Sequence, residues 1–84
     1  MAYIQPPDEF AAFPDLVRIK SKNRVKGGGK LRRRWKDDAG HLYEWDSQHG
    51  RLEKYASNGK HLGEFDPQTG VQTKSADPSR SIEP

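Results

Sequence analysis

Between positions 44 and 53 the chain gathers the residue types needed to move protons: Glu44, Asp46, His49, Arg51 and Glu53. A carboxylate and an imidazole on one surface can divide general acid-base work on an RNA phosphodiester. The carboxylate takes the proton from a ribose 2′-hydroxyl as it attacks phosphorus, and the imidazolium gives one to the departing 5′ oxygen. Each such group contributes roughly 10²- to 10⁴-fold in rate. A cation must also steady the charge that builds on phosphorus, and Arg51 and Arg80 are the candidates. On spacing alone a plainer reading stays open, in which His49 is a surface turn residue beside acids.

These residues need a scaffold that fixes their direction. Turn signals recur at Asp37 to Gly40, Ser47 to Gly50, Ser57 to Gly59 and Asp66 to Gly70. Between them lie Leu31 to Trp35, His41 to Asp46, Arg51 to Ala56, Lys60 to Phe65 and Gly70 to Thr73, short runs rich in aromatic and branched residues. That layout predicts an antiparallel β-meander rather than βαβ units, with Asn58-Gly59 the strongest hairpin signal. Closing the hairpin at Ser47 to Gly50 sets Asp46 against Arg51, Trp45 against Leu52 and Glu44 against Glu53. Strand alternation then puts Glu44, Asp46, Arg51 and Glu53 on one face and Trp45 and Leu52 on the core face. Like charges directly opposite destabilise a sheet, so the Glu44 and Glu53 pair argues for a function on that face.

Ahead of the meander, Asp8 is expected to cap a short helix through Phe13 before Pro14 ends it, and Leu16 to Ile19 to add a strand. Gly27 to Gly29 read as a hinge, and the tail from Lys74 to Pro84 as irregular. The expected organisation is a lead-in over 1–26, one functional domain over 27–81 and a tail over 82–84. The fold class is mainly β, or α+β, with five or six short strands.

With 84 residues the chain buries only about 60% of the surface it exposes unfolded. Hydrophobic residues make up 31% against 32% charged, so the core must be concentrated, on Trp35, Leu42, Tyr43, Trp45, Leu52, Tyr55, Leu62 and Phe65. There is no cysteine, which excludes a disulfide framework and a thiolate metal site. His41, His49 and His61 match no close-spaced ligand pattern, and the expectation is no metal and no cofactor. No run approaches a membrane span, and no signal peptide or membrane anchor is expected.

Net charge is only +3, but it is unevenly spread. Lys26 to Lys36 holds six bases and no acid, while Asp37 to Glu53 holds five acids against the single base Arg51. A basic strip beside an acidic patch suits a protein that grips a polyanion and brings carboxylates to one point on it. The expected RNA-binding residues are Lys30, Arg32, Arg33 and Arg34, with Trp35, Tyr43, Arg51 and Lys60. A non-catalytic RNA- or ribosome-binding β module is the alternative that uses this strip alone, and a domain that only docks a protein is a third reading.

Gly27 to Lys30, Arg34-Trp35, Tyr43 to Gly50, His61 to Gly63 and Phe65 to Pro67 together resemble the cytotoxic domain of the ribosome-inactivating ribonuclease colicins and cloacins. The same module is shared with related pyocins and contact-dependent toxins. The resemblance covers about positions 27–81, and Tyr43 to Gly50 is its most specific stretch. It implies a strongly twisted antiparallel sheet with a short N-terminal helix, and a metal-independent cut in the decoding site of 16S ribosomal RNA that blocks translation. It implies catalytic roles for Asp46, His49, Glu53 and Arg80: Glu53 as base, His49 as acid, Asp46 orienting the imidazole and Arg80 on the phosphate. Its implied partners are the 30S subunit and a small acidic immunity protein, for a chain that is monomeric when free. The implied setting is a larger toxin released by its producer and acting in the cytoplasm of a target cell. One departure is Arg51, where the family carries a second Glu.

Overall fold

The computed structural model describes residues 3–22 and 31–84. Among the described residues six strands follow one another in chain order: β1 Val17–Ile19, β2 Arg34–Lys36, β3 Leu42–Asp46, β4 Arg51–Tyr55, β5 His61–Phe65 and β6 Gln72–Ser75. They form one sheet in the order β1-β2-β3-β4-β5-β6, every neighbouring pair antiparallel. The meander expected from the turn spacing is what forms, because each connection is short enough to bring adjacent runs side by side. The glycine hinge and Lys30 lie outside the described residues.

No helix forms over Asp8 to Phe13. Instead the Phe13 N–H donates to the Phe10 carbonyl (3.0 Å) and the Leu16 N–H to the Phe13 carbonyl (3.3 Å), making two successive turns. Six residues between Pro7 and Pro14 are too few to repay helix nucleation. The turns aim Phe10, Phe13 and Leu16 at the sheet instead. Phe10 is buried with Trp35, Tyr43, Trp45 and Leu52, and Phe13 and Leu16 pack against that cluster. The Phe10 ring meets Trp35 edge-on at 4.9 Å between centroids, and Phe13 lies 5.4 Å from Tyr43. The Trp45 indole N–H donates to the Ile4 carbonyl (2.7 Å), fastening the start of the segment. The residues read as a lead-in therefore cover the apolar face of the sheet.

The C-terminal tail covers the other face. It is more regular than expected: β6 runs to Ser75, Ser81 bridges Lys60, and the Ile82 N–H donates to the Gly59 carbonyl (2.9 Å). Gly59 is what permits this approach, since a Cβ there would collide with the Ile82 carbonyl oxygen, and its φ of 92° is strained for any side chain. On this face Arg34, Glu44, Glu53, His61 and Glu64 are all buried, and the tail meets Arg34 through the Glu83 carbonyl, Glu53 through Arg80 and His61 through the Asp77 N–H.

Candidate active site

Asp46, the last residue of β3, starts the turn that carries His49. Its Oδ1 accepts the N–H groups of Gln48 (3.0 Å) and His49 (3.3 Å), and the Gly50 N–H returns to its carbonyl (2.8 Å). A short acid at this position mimics a backbone turn, and Gly50 at φ 66° closes it. The same turn is built again at Asp66, whose Oδ1 holds Gln68 and Thr69. At the first copy the third turn residue is an imidazole, and His49 Nδ1 lies 2.6 Å from Asp46 Oδ2.

An ionised carboxylate only accepts, so Nδ1 carries the proton in that bond and Nε2 is the free nitrogen. Burial pushes the Asp46 carboxyl up. The hydrogen bond from His49, the Gln48 N–H and the His49 charge outweigh it and hold Asp46 below the usual carboxylate range. The His49 side chain is 56% exposed, so its free nitrogen can reach a ligand.

Glu53, in the middle of β4, is held from two sides. His61 Nε2 lies 2.8 Å from its Oε1, and Arg80 Nη1 donates to the same oxygen at 3.4 Å. Among the described residues no donor sits on Oε2. Arg80 also donates to the Tyr55 hydroxyl (3.0 Å). Burial works against the Arg80 charge, but Tyr55 and Glu53 outweigh it and the guanidinium is held more firmly protonated than usual. Burial raises the Tyr55 phenol. A cleft of about 370 Å³ opens beside this group, lined by Arg32, Glu44, Tyr55, Ser79, Arg80, Ser81 and Ile82.

The hairpin register is the expected one: Glu44 opposite Glu53, Trp45 opposite Leu52, Asp46 opposite Arg51. Burial of the acids was not expected. Glu44, Glu53 and Glu64 sit side by side on β3, β4 and β5, each at most 4% exposed. Burying a carboxylate is tolerable only with partners. Arg34 supplies one to Glu44 through Nη2 (2.9 Å) and Nε (3.3 Å), His61 and Arg80 serve Glu53, and the Thr73 hydroxyl donates to Glu64 Oε2 (2.6 Å).

The basic strip is divided by burial. Arg33 is exposed and Arg32 lines the cleft, so both remain open to a polyanion. Arg34 is 1% exposed and committed to Glu44 and to the Glu83 carbonyl (2.7 Å). Trp35 and Tyr43 are core residues, and the Tyr43 hydroxyl donates to Asp37 Oδ2 (2.9 Å). All three were named as RNA-binding residues, although Trp35 and Tyr43 were also expected in the core, where they lie. Strand alternation takes Trp35 and Tyr43 to the apolar face, and the ion pair takes Arg34 inside. Lys60 is exposed on the tail side. Arg51 directs its guanidinium to the carbonyls of His49 and Gly50 (3.3 Å each), and its charge also helps to lower Asp66, after the turn hydrogen bonds there.

His61 was read from the sequence as an unsuitable metal ligand and as part of the family resemblance, without a role in the site, and Glu64 was not singled out at all. A register shift in the β4/β5 pair, between Lys54 and Tyr55, is the cause. It leaves Leu62 as an extra residue and so turns His61 and Glu64, three positions apart, to the same face. Glu64 could have been found by extending the Asn58-Gly59 hairpin back to Glu53. Nothing local signals the bulge that brings His61.

Known proteins share this arrangement of sequence. Colicin E6 of Escherichia coli is 49% identical over 77 residues, covering 89% of this chain and 14% of that protein. Cloacin of Escherichia coli matches to the same extent. Colicin E3 of Escherichia coli is 63% identical over 66 residues, covering 76% of this chain and 12% of that protein. The chain thus spans only a small part of the length of these relatives. A family model described as Cytotoxic matches residues 4–83, lead-in included, and the chain belongs to that cytotoxic-domain family of the colicins and cloacin.

Proposed function

We propose that the chain is a metal-independent endoribonuclease that cuts 16S ribosomal RNA at the decoding site of the 30S subunit and so stops translation. The observation that carries this is the pairing of two fixed proton carriers on one hairpin. His49 is oriented by Asp46 through Nδ1, which leaves Nε2 free, and Glu53 is oriented by His61 and Arg80 through Oε1, which leaves Oε2 without a donor among the described residues. Membership of the cytotoxic-domain family supports the target.

Glu53 Oε2 takes the proton of the ribose 2′-hydroxyl as that oxygen attacks phosphorus. The His49 imidazolium gives a proton from Nε2 to the departing 5′ oxygen, and Asp46 steadies the ring through Nδ1. Arg80, already beside the base, stabilises the charge on the phosphoryl oxygens, with Arg32 on the adjoining cleft wall. The products are a 2′,3′-cyclic phosphate and a 5′-hydroxyl end. Arg33, Lys60 and Lys30 serve the flanking backbone. In its producer the domain is part of a larger toxin, kept inactive by an acidic immunity protein until it reaches the cytoplasm of a target cell.

The direct test is to add the purified chain to bacterial ribosomes and map RNA ends. One new 16S end carrying a cyclic phosphate is expected. Binding to ribosomes with no new end would replace this reading with that of a binding module.

A further inference from the structure

The His49 end of the site contains a third residue that the cleavage reading leaves unused. Ligand atoms of Asp46, His49 and Glu64 all lie within 4.8 Å of one another. Glu64 is 4% exposed, and its Oε1 is shut off from solvent with no hydrogen-bond partner among the described residues. Its Oε2 is already taken by Thr73. Burying a carboxylate oxygen with nothing to satisfy it is costly. No lysine or arginine pairs with Asp46 or Glu64 among the described residues: Arg34 is on Glu44, Arg80 on Glu53, and Arg51 on backbone carbonyls. Two carboxylates and an imidazole therefore face one another with no lysine or arginine between them among the described residues.

We propose that Asp46, His49 and Glu64 form a binding site for a divalent ion of the zinc class, and that the ion inhibits cleavage; the inhibitory part rests on the ribonuclease reading. One nitrogen and two carboxylate oxygens are a donor set for zinc, whereas magnesium and calcium prefer oxygen alone. Two carboxylates neutralise the ion, and Glu64, one oxygen of which is unsatisfied, gains a partner. Bonds of about 2.1 Å place tetrahedral ligands about 3.4 Å apart, so the cluster must tighten modestly. His49, more than half exposed, is the member free to move. The fourth position stays open to water or a phosphate oxygen. An ion held there occupies the imidazole and its orienting carboxylate together, so His49 can no longer deliver a proton to the leaving oxygen.

Zinc chloride titrated calorimetrically into the purified chain tests the site without any ribosome. One saturable site is expected, weakened about ten-fold or more in Glu64→Gln, since even outer-shell changes cost that much. Glutamine keeps the shape of Glu64 and its hydrogen bond from Thr73, and circular dichroism checks the fold of the variant. In the unaltered chain, zinc is expected to move the ring resonances of His49 and leave those of His41. The latter is the internal control: it also pairs with an acid, Asp37 (3.0 Å), but has no third ligand nearby among the described residues. No saturable uptake below millimolar zinc, equal affinity in Glu64→Gln, or equal shifts at His41 would overturn the site. On ribosomes, cleavage is expected to proceed in EDTA and to slow when zinc is supplied in excess. Binding without slowing would remove the inhibitory role. Absence of RNA cleavage under any condition would count against the ribonuclease reading and leave the calorimetric result standing.

Discussion

His61 holds Glu53 in a fixed direction: its Nε2 lies 2.8 Å from Glu53 Oε1, while its Nδ1 accepts the backbone N–H of Asp77 at 2.9 Å. An acceptor nitrogen carries no hydrogen, so the ring is locked as the Nε2–H tautomer and donates to the carboxylate. The relationship links three distant parts of the chain, β4, β5 and the C-terminal tail. It also occupies one oxygen of Glu53 and leaves the other without a donor among the described residues.

His61→Ala is expected to destabilise the fold by about 1–3 kcal/mol, because it strips a donor from a buried carboxylate and an acceptor from the Asp77 N–H. Cleavage is expected to fall as well, since Glu53 loses the donor that fixes its direction. Urea melts and single-turnover rates measure both. A stability loss with an unchanged rate in the folded variant would restrict His61 to holding the fold together.

Glu53→Gln and His49→Ala are each expected to lower cleavage by roughly 10²- to 10⁴-fold. The His49 change is expected to be nearly neutral for stability, because its ring is largely exposed. Glu53→Gln keeps the shape of a buried residue. Cleavage retained by a variant with a normal melt would take that residue out of the chemistry.

Reversing the charge of Arg32 or Arg33 is expected to weaken ribosome binding similarly for all RNA sequences and to flatten its salt dependence by about one unit of log-log slope each. Arg34→Ala is expected to act differently. It removes a buried cation from Glu44 and costs about 3–5 kcal/mol of stability. Binding isotherms at several salt concentrations, set beside thermal melts, separate the two effects.

Gly59→Ala and Gly40→Ala compare a close approach with an open one at matched backbone angles, φ 92° and 90°. A Cβ at Gly40 meets nothing within 4 Å, while one at Gly59 meets the Ile82 carbonyl. Both are expected to lose stability, about 1 kcal/mol from the backbone alone, and Gly59→Ala more. Only Gly59→Ala is expected to lower cleavage as well, by shifting the tail that carries Arg80. Equal effects would mean that the tail yields without consequence.

Asp46 gives stability a pH dependence of known sign. Its carboxyl is held low in the folded chain, so its contribution is full above the usual carboxylate range near pH 4 and is lost as pH falls through the folded value. Asp46→Asn is expected to cost about 1.5–3 kcal/mol at pH 7, the worth of hydrogen bonds to a charged group, and less toward pH 2. Thermal melts from pH 7 to pH 2 read this directly. A difference that grows as pH falls would reverse the assignment.

Local chemistry decided much of this molecule. Acid-initiated, glycine-closed turns at Asp46 and Asp66 and the tight turn at Asn58-Gly59 set strand order and the β3/β4 register, because each depends on a few neighbouring residues. Asp46, His49 and Glu53 were therefore legible on one hairpin, and Trp45 and Leu52 on its core face. What covers each face was not legible. The apolar face is closed by Phe10 and Phe13, whose turns form because the sheet, rather than a helix, offers them burial. The acidic face is closed by the tail, which reaches β5 through contacts between residues far apart in sequence. That closure turned a row of expected surface charges into buried, partnered ones and drew Arg34 inside. The bulge beside Tyr55 then brought His61 to Glu53, on the face where Glu64 approaches His49. These are non-local outcomes: the free energy of burying a face depends on which remote segment fills it, and no window of sequence contains both.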